Sequence, residues 1–474
     1  VLAPSPPFRV VVIGAGFAGS ATAVQLLRAW QGGPLELTLL ERARDFGPGV
    51  AFSTPDERHL LNVVAGGMSA LPDAPEHFLD WLREREPGAH AGTFAPRRAY
   101  GDYLRELVDD AAARLPAVTT FERRDDEAIR IVDARDARPA TVLTRGGAEL
   151  SADAVVVAVG VNRPRTPPGA ARELIGHPGY VADPWDHARI AALKGRERVL
   201  IVGSGLTMVD VAITLGGIPE RAPELVALSR RGVLPRAHRA TPPARVTQFR
   251  PPLGPLSADR LAAHVEAAAL AEVASGGDWR SAIDGVRPHT QALWQALPLG
   301  EQARFLARHA RRWEIHRHRM APGVAARVAE LRAAGRLTLR AGSLQRIEPL
   351  SEAAIEVAYR TESGVEQLRV GAVVNCTGPD PAPGADGDPL LSSLIEDRLG
   401  RAGPLGLGLD CGPDGELRDC DGHRSTRLFT LGALRRGQLW ETTAVPEIRC
   451  QAADLGRLLA ARGAALCAAR ATVA

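Results

Sequence analysis

Short apolar runs closed by glycine recur along the chain. "RVVVIG" (9–14) and "RVLIVG" (198–203) are nearly continuous aliphatic stretches, with no polar alternation. That pattern predicts strands buried on both faces of a parallel sheet. Each run is followed by a segment with helical periodicity and then by a second apolar strand, "LELTLLE" (35–41) in one case and "ELVALSRRG" (224–232) in the other. Further on, "AIRIVDARDARPATVLTRGGAELSADAVVVAVG" (128–160) and "LQRIEPLSEAAIEVAYRTESGVEQLRVGAVVNCTG" (344–378) share one plan. Each predicts three meander strands and a buried return strand ending in a small residue and glycine. The chain therefore reads as two copies of one α/β architecture. Within the second copy, "ADRLAAHVEAAALAEVA" (258–274) and "GEQARFLARHARRWEIHRHR" (300–319) have helical periodicity and few breakers, which predicts a helical insertion over 251–322 capping a cleft.

The glycines give the two copies their chemistry. Gly14, Gly16 and Gly19 fit GxGxxG immediately after a strand, with Ala15, Phe17 and Ala18 completing the turn and opening a helix. The first glycine permits the tight turn, the second lets backbone approach a pyrophosphate, and the third lets helix pack on strand. The helix start adds free N–H groups and the positive end of its dipole. Glu41 ends the next strand about twenty residues on, where an acid binds ribose hydroxyls. In the second copy Gly203, Ser204, Gly205, Leu206 and Thr207 form the corresponding turn, and Met208 stands where the third small residue would be. Its following strand ends in Ser229, Arg230 and Arg231 rather than an acid. Arginines pair with a 2′-phosphate that an acid would repel, so the second loop predicts NADPH. The plainer reading of the two arginines is a solvated loop. Two different dinucleotides in one chain are best matched as FAD in the first copy and NADPH in the second, so that hydride passes from nicotinamide to flavin.

Composition narrows the class without choosing a substrate. The chain has 474 residues, 45% hydrophobic and 24% charged, with a net charge of +3. These values suit a soluble protein of two or three domains and point to neither a nucleic-acid nor a membrane partner. The glycines and β-branched start of the apolar run 10–27 favour a buried strand and helix over a membrane span. The five cysteines, Cys376, Cys411, Cys420, Cys450 and Cys467, form no CxxC and no zinc-like pair, and the N-terminus lacks a signal-peptide pattern. A reducing cytoplasm is the expected location.

These residues resemble the two-dinucleotide-binding-domain flavoproteins, which include glutathione-reductase-like enzymes and class B flavin monooxygenases. More narrowly, the chain is similar to a bacterial family of FAD/NAD(P)-binding proteins related to the N-hydroxylating monooxygenases. The similarity is carried by "GPGVAFSTPDERHLLNVVAGGMSALPDAPEHFLDWL" (47–82), "FAPRRAYGDYL" (94–104), "HPGYVADPW" (177–185), "GSGLTMVDV" (203–211), "SRRGVLPRAH" (229–238), "IHRHRMAP" (315–322), "VVNCTGP" (373–379), "LGLGLD" (405–410) and "LWETTAVPEIR" (439–449). It implies a glutathione-reductase-like arrangement: FAD-binding domain over 1–190, NADPH-binding domain over 191–378, and a C-terminal part of the FAD domain over 379–474. It also implies chemistry at a flavin peroxide, with a small polar or amine-bearing substrate and molecular oxygen as partners. Residues 40–70 contain no cysteine, so disulfide reduction is not expected. A flavin reductase or oxidase without oxygen insertion, and a partner-dependent electron carrier, stay open at this point.

The resemblance also distributes candidate site residues. His59, Asn62 and Met68 follow the Glu41 strand and are placed nearest the flavin, with Asn62, His59 and Trp440 as catalytic candidates. His59 reads equally as a capping histidine and Met68 as core. Gly160, Gly432 and Thr442 are assigned to FAD, with Thr442 or Thr443 capping the last helix. Related flavoproteins carry Gly-Asp after the last strand; here Ala433 follows Gly432, which leaves the ribityl contact unassigned. His316, His318, Arg319 and Glu441 are substrate candidates, set against the plainer reading of a solvated basic helix. His316 and His318 form an HxH without an acid or cysteine at ligand spacing, so no metal is expected. "HPGYVADPWDH" (177–187) reads as a hinge between the halves. It lacks the FxGxxxHxxxW fingerprint of class B enzymes, which counts against a Baeyer–Villiger reaction.

Overall fold

A computed structural model describes residues 6–133, 139–217, 222–241, 246–384 and 387–473. In it β1 (Phe8–Ile13), α1 (Phe17–Ala29) and β2 (Leu35–Glu41) form the first βαβ unit, with parallel register running from Phe8 opposite Leu35 to Ile13 opposite Leu40. Helices α2 (Gly49–Phe52), α3 (His77–Arg85) and α4 (Arg97–Ala113) lead to β3 (Thr119–Asp125), which extends the sheet beyond β2. The meander β4 (Ala128–Val132), β5 (Ala140–Thr144) and β6 (Glu149–Ala152) follows, and β7 (Ala154–Val157) returns beside β1.

The second copy repeats this order. It comprises β8 (Tyr180–Val181), α5 (His187–Ala191), β9 (Arg198–Val202), α6 (Leu206–Gly216) and β10 (Glu224–Ser229). Five helices come next: α7 (Ala258–Ala274), α8 (Trp279–Val286), α9 (Thr290–Ala296), α10 (Leu299–Arg308) and α11 (Ala310–Arg317). The unit closes with α12 (Pro322–Ala333), β11 (Leu337–Ala341), the meander β12 (Ser343–Ser351), β13 (Ala354–Thr361) and β14 (Gly364–Val370), and β15 (Ala372–Asn375). The chain then returns to the first sheet through α13 (Pro389–Glu396), β16 (Glu416–Arg418), β17 (Arg424–Thr430), α14 (Arg436–Leu439) and the long α15 (Val445–Val473). The sheet orders are β16-β17-β7-β1-β2-β3 and β11-β10-β9-β15-β8.

Both sheets are the middle of three layers, as the unbroken aliphatic runs require. Val10 and Val12 pack with Leu26 of α1 and Leu455 of α15, while Val11 and Ile13 pack with Ile131 and Val142 of the meander. In the second sheet Val199 and Ile201 face α6 and α12, and Leu200 and Val202 face Ile347 and Val357. Each such side chain contributes about 1.5–3 kcal/mol on burial.

Two expectations are corrected here. The segment 177–187 is not the hinge, because Tyr180 and Val181 pair with Val373 and Val374 at the edge of the second sheet. The chain crosses between units at 160–165 and 376–382 instead. There the Asn162 amide donates to the carbonyls of Asp380 (3.2 Å) and Ala382 (2.7 Å), and the Asn375 amide donates to that of Arg165 (2.8 Å). The single helix expected over 300–319 is two, broken at His309 between α10 and α11. No described helix is long and apolar enough to cross a membrane, and all five cysteines are free thiols.

Candidate functional site

The first glycine turn is shaped by backbone, not side chains. Gly14 has φ +94°, and a Cβ there would lie 2.6 Å from the Ala158 carbonyl oxygen. A Cβ on Gly19 would lie 1.8 Å from the Gly14 oxygen, so both positions exclude every other residue. Gly16 is the N-cap of α1, and its missing side chain leaves a gap beneath Gly49 that a Cβ would fill. The Glu41 carboxylate accepts hydrogen bonds from the Ala15 N–H (2.8 Å) and the Ala43 N–H (2.9 Å). Glu41 therefore closes the loop from the end of β2. Phe17 and Ala18 open α1, and Gly432 (φ +69°) approaches so closely that its Cβ would contact the Ala18 methyl at 3.6 Å. The Thr442 hydroxyl lies 3.2 Å from the Gly432 carbonyl, and Gln451 bonds both the Thr442 hydroxyl (2.7 Å) and the Gly432 N–H (3.0 Å). Since α15 begins at Val445, Thr442 and Thr443 do not cap it; Thr442 instead anchors Gly432 to the helix.

The second turn repeats the design. Gly203 has φ +117° with the Cys376 carbonyl 2.1 Å from its would-be Cβ, and Gly205 opens α6 with free space above it. Leu206 and Thr207 form the first turn of α6. The Ser204 hydroxyl lies 2.7 Å from the Val233 carbonyl and 2.8 Å from the Ser229 hydroxyl, tying the loop to the end of β10. Arg230 and Arg231 follow that strand, both exposed. A third arginine joins them: Arg311 of α11 reaches the Ser204 carbonyl (3.2 Å) and hydroxyl (3.1 Å). Burial lowers the Arg311 pKa, and Arg231 and Arg230 push it the same way. Such a cation gains from an anionic ligand at this loop. Both loops thus suit a dinucleotide phosphate.

A cavity of about 290 Å³ lies beside the segments that cross between the units. Its walls come from the first crossing segment (Gly160, Asn162), the return segment (Asp380), the stretch before α15 (Ala433, Trp440, Glu441, Thr442), and α11 with its C-cap (Glu314, Arg317, His318). Burial raises the Glu314 pKa, against the pull of Arg436, whose guanidinium is 3.5 Å away. His318 is pushed down to about 4, first by burial and then by Arg317 and Arg436, so it is neutral at pH 7.

Of the expected residues, the cavity gathers Gly160, Trp440, Glu441, Thr442 and His318. Several others lie elsewhere. His59 is buried against α6, with Nδ1 2.8 Å from the Thr54 hydroxyl and Nε2 3.0 Å from the Asp210 carbonyl and from the Thr214 hydroxyl. Its ring is occupied in joining the units, beside an ion pair between Arg97 and Asp210 (2.6 Å). Asn62 offers its carbonyl to His238 (3.0 Å), and Met68 is core of the first unit; neither lines the cavity. Arg319 is buried on Asp284 and Trp279. His316 bonds the Arg312 carbonyl and packs edge-on against Trp279, away from this cavity. Glu441 lines the cavity, but its carboxylate accepts from Trp313 Nε1 (2.6 Å) and Arg317 Nε (3.1 Å), so it is not a free amine binder. Tyr100 packs edge-on and Tyr103 at a tilt against Phe78, both in the core of the first unit.

Sequence reading missed Arg311, Glu314 and Arg436. A signal for the first two was present: positions 311, 314 and 318 recur at i, i+3 and i+7, one face of a helix. Arg436 opens α14, a helix too short for periodicity to mark it.

Comparisons with known proteins agree with this geometry. Residues 11–162 match a family described as FAD-NAD(P)-binding. No curated protein matches the sequence. Among solved structures, the reduced form of ornithine hydroxylase from Pseudomonas aeruginosa aligns with TM-score 0.65 at 18% identity, covering 96% of this chain and 99% of that one. The ornithine N-hydroxylase of Kutzneria sp. 744, with reduced FAD, NADP+ and L-ornithine, gives 0.62 at 16% identity over 96% and 100%. L-Lysine 6-monooxygenase from Pseudomonas syringae gives 0.64 at 19% identity over 96% and 99%. The fold is that of the two-dinucleotide-binding-domain flavoproteins, and the expectation of FAD with a nicotinamide dinucleotide is borne out.

Proposed function

We propose that this chain is an FAD-dependent, NADPH-consuming monooxygenase. It would place one atom of dioxygen on a small substrate and release the other as water, with N-hydroxylation the favoured form. The observation that carries this reading is the pair of unlike nucleotide turns in one chain. One is closed by Glu41 and the other is flanked by Arg230, Arg231 and Arg311. The neighbours named as ornithine and lysine hydroxylases share the fold over 96% of this chain, which supports the same class of chemistry here.

Bound FAD would accept hydride from NADPH and pass the electron pair to oxygen. In this reading Glu41 holds a ribose, and Gly14, Gly16 and Gly19 admit the pyrophosphate. Arg230 and Arg231 select the 2′-phosphate, and Arg311 adds charge at the second loop. The first turn of α15 brings unpaired N–H groups toward the cavity beside Thr443 and Ala444, and so favours negative charge there. Neutral His318 and the indole of Trp440 limit water at the same wall. A small molecule with a nucleophilic nitrogen suits the reading; its contact falls to Glu314 rather than to Glu441, whose oxygens are taken.

The test is anaerobic reduction of the FAD-loaded protein by NADPH, followed by oxygen, with hydrogen peroxide and NADPH consumption both counted. A monooxygenase bleaches its flavin with NADPH and, given substrate, consumes NADPH with little peroxide. Equal amounts of peroxide and oxidised NADPH across a panel of amines and other nucleophiles would make it an oxidase. Absence of bleaching would reject the internal hydride transfer.

A further inference from the structure

The helical insertion contains a second chamber, of about 420 Å³. Its walls are apolar and aromatic: Val265, Ala269 and Leu270 of α7, together with Trp279, Trp313 and Trp440. Trp440 also lines the first cavity, so one indole forms the partition between the two spaces.

Helix α7 sets Leu261 and Val265 against Phe249, Val286 and Leu293 and turns the rest of its apolar stripe to this chamber. Ala258 alone of its residues is buried, yet Leu261, Val265, Ala269, Leu270 and Val273 fall on the side that faces the void. Leu270 and Val273 line the chamber while remaining 64% and 52% exposed. An apolar stripe at helical spacing normally finishes inside a core. Here it is left facing open space of the size that holds a drug-like ligand. The rim is cationic. Arg312 pairs with Glu266 (2.5 Å) and His309 with Asp259 (2.6 Å), whereas Arg236 has no carboxylate partner among the described residues.

We infer that this chamber binds the substrate's apolar body. The substrate class is then a small aromatic or alicyclic acid, its carboxylate at Arg236 and its reacting group directed past Trp440 into the first cavity. As a statement about substrate this rests on the monooxygenase reading; as a statement about a ligand site it does not. The free amino acids named for the structural neighbours have no apolar body of this size.

The experiment is equilibrium dialysis of the FAD-loaded protein with 2-naphthoate, with L-ornithine as control. We expect 2-naphthoate to bind at least about tenfold more tightly than L-ornithine. Ala269→Trp fills the chamber, and Leu270→Asp places an acid at an already exposed wall position, so that one variant keeps the fold if the other fails. Each should weaken 2-naphthoate by at least about tenfold while NADPH still bleaches the flavin at the wild-type rate. Arg236→Gln should weaken 2-naphthoate but leave naphthalene unchanged. Equal binding of the two ligands by the wild type, or unchanged 2-naphthoate binding in both wall variants, would overturn the inference. So would a dimer in sedimentation that Leu270→Asp dissociates, since the stripe would then serve a second copy. If NADPH fails to bleach the wild-type flavin, the monooxygenase reading falls, and the dialysis still decides the chamber.

Discussion

Trp440 stacks on Trp294 with ring centroids 5.1 Å apart and planes 26° from parallel, while its own backbone is held at φ +59°, ψ −72°. That conformation is costly for a residue with a Cβ, by about 1–3 kcal/mol. Phe305 packs edge-on against the same indole, and Trp294 Nε1 bonds the Gly437 carbonyl at 2.9 Å. Packing thus holds an unfavourable turn in place. Removing the ring should cost about 3–5 kcal/mol. Trp440→Gly should nevertheless be more stable than Trp440→Ala in urea unfolding, reversing the usual order, because only glycine relieves the backbone.

The three arginines at the second loop should separate by role. Arg230→Glu is expected to raise the NADPH Kd by about 10- to 100-fold with much less effect on NADH, since the two nucleotides differ at the 2′-phosphate. Arg311 touches the glycine loop itself. Arg311→Gln should therefore weaken NADPH and NADH by a similar factor, about tenfold. Fluorescence titration of both nucleotides against both variants checks this.

Arg97 of α4 and Asp210 of α6 form a largely buried ion pair between the units, with Arg97 also donating to the Leu60 carbonyl at 3.2 Å. Removing one partner strands a buried charge, so Arg97→Met should destabilise by about 3–5 kcal/mol. The double variant Arg97→Met, Asp210→Leu should recover part of that loss. A double-mutant cycle by chemical denaturation measures the coupling.

Acid stability should follow His318 and His238. Burial, before nearby arginines, pushes each down to about 4 from the ordinary 6.5. Between those values the unfolded chain binds more protons than the folded one, so stability rises with pH. Their contribution is complete above pH 6.5 and is lost as pH falls toward 4. Asp56 acts only lower: burial alone would raise its pKa, but Arg58 and His59 bring it to about 2. Thermal melts from pH 7 to pH 4 should therefore show a smaller fall in Tm for His318→Asn than for wild type, with Asp56→Asn leaving that window unchanged.

The fold was legible because its signals are local. Strand, glycine turn, helix and terminal Glu41 or Arg230 lie within about thirty residues of each other, and backbone sterics at Gly14 and Gly203 leave few alternatives. The cavity was only half legible. Trp440, Thr442 and Gly160 sit beside recognisable strand ends. His59 and Asn62 were misplaced because sequence distance from Glu41 says nothing of which neighbour a loop meets, and here it meets α6. Glu441 lines the cavity with its carboxylate occupied, which sequence could not show, since its partners Trp313 and Arg317 are more than a hundred residues away. The insertion's chamber was hidden for a related reason: the stripe on α7 looks the same whether it faces a core or a void.

The two crossing segments, stitched by Asn162 and Asn375, have one more implication. The second unit is entered and left through a single doorway, so topologically it is a cassette. Among the described residues its strands β8, β9, β10, β11 and β15 pair with one another, and the first sheet closes through β17 without them. The ends that excision would leave behind already touch. A recombination event at that doorway can exchange one nucleotide specificity, or one capping insertion, for another without rethreading the flavin-side sheet.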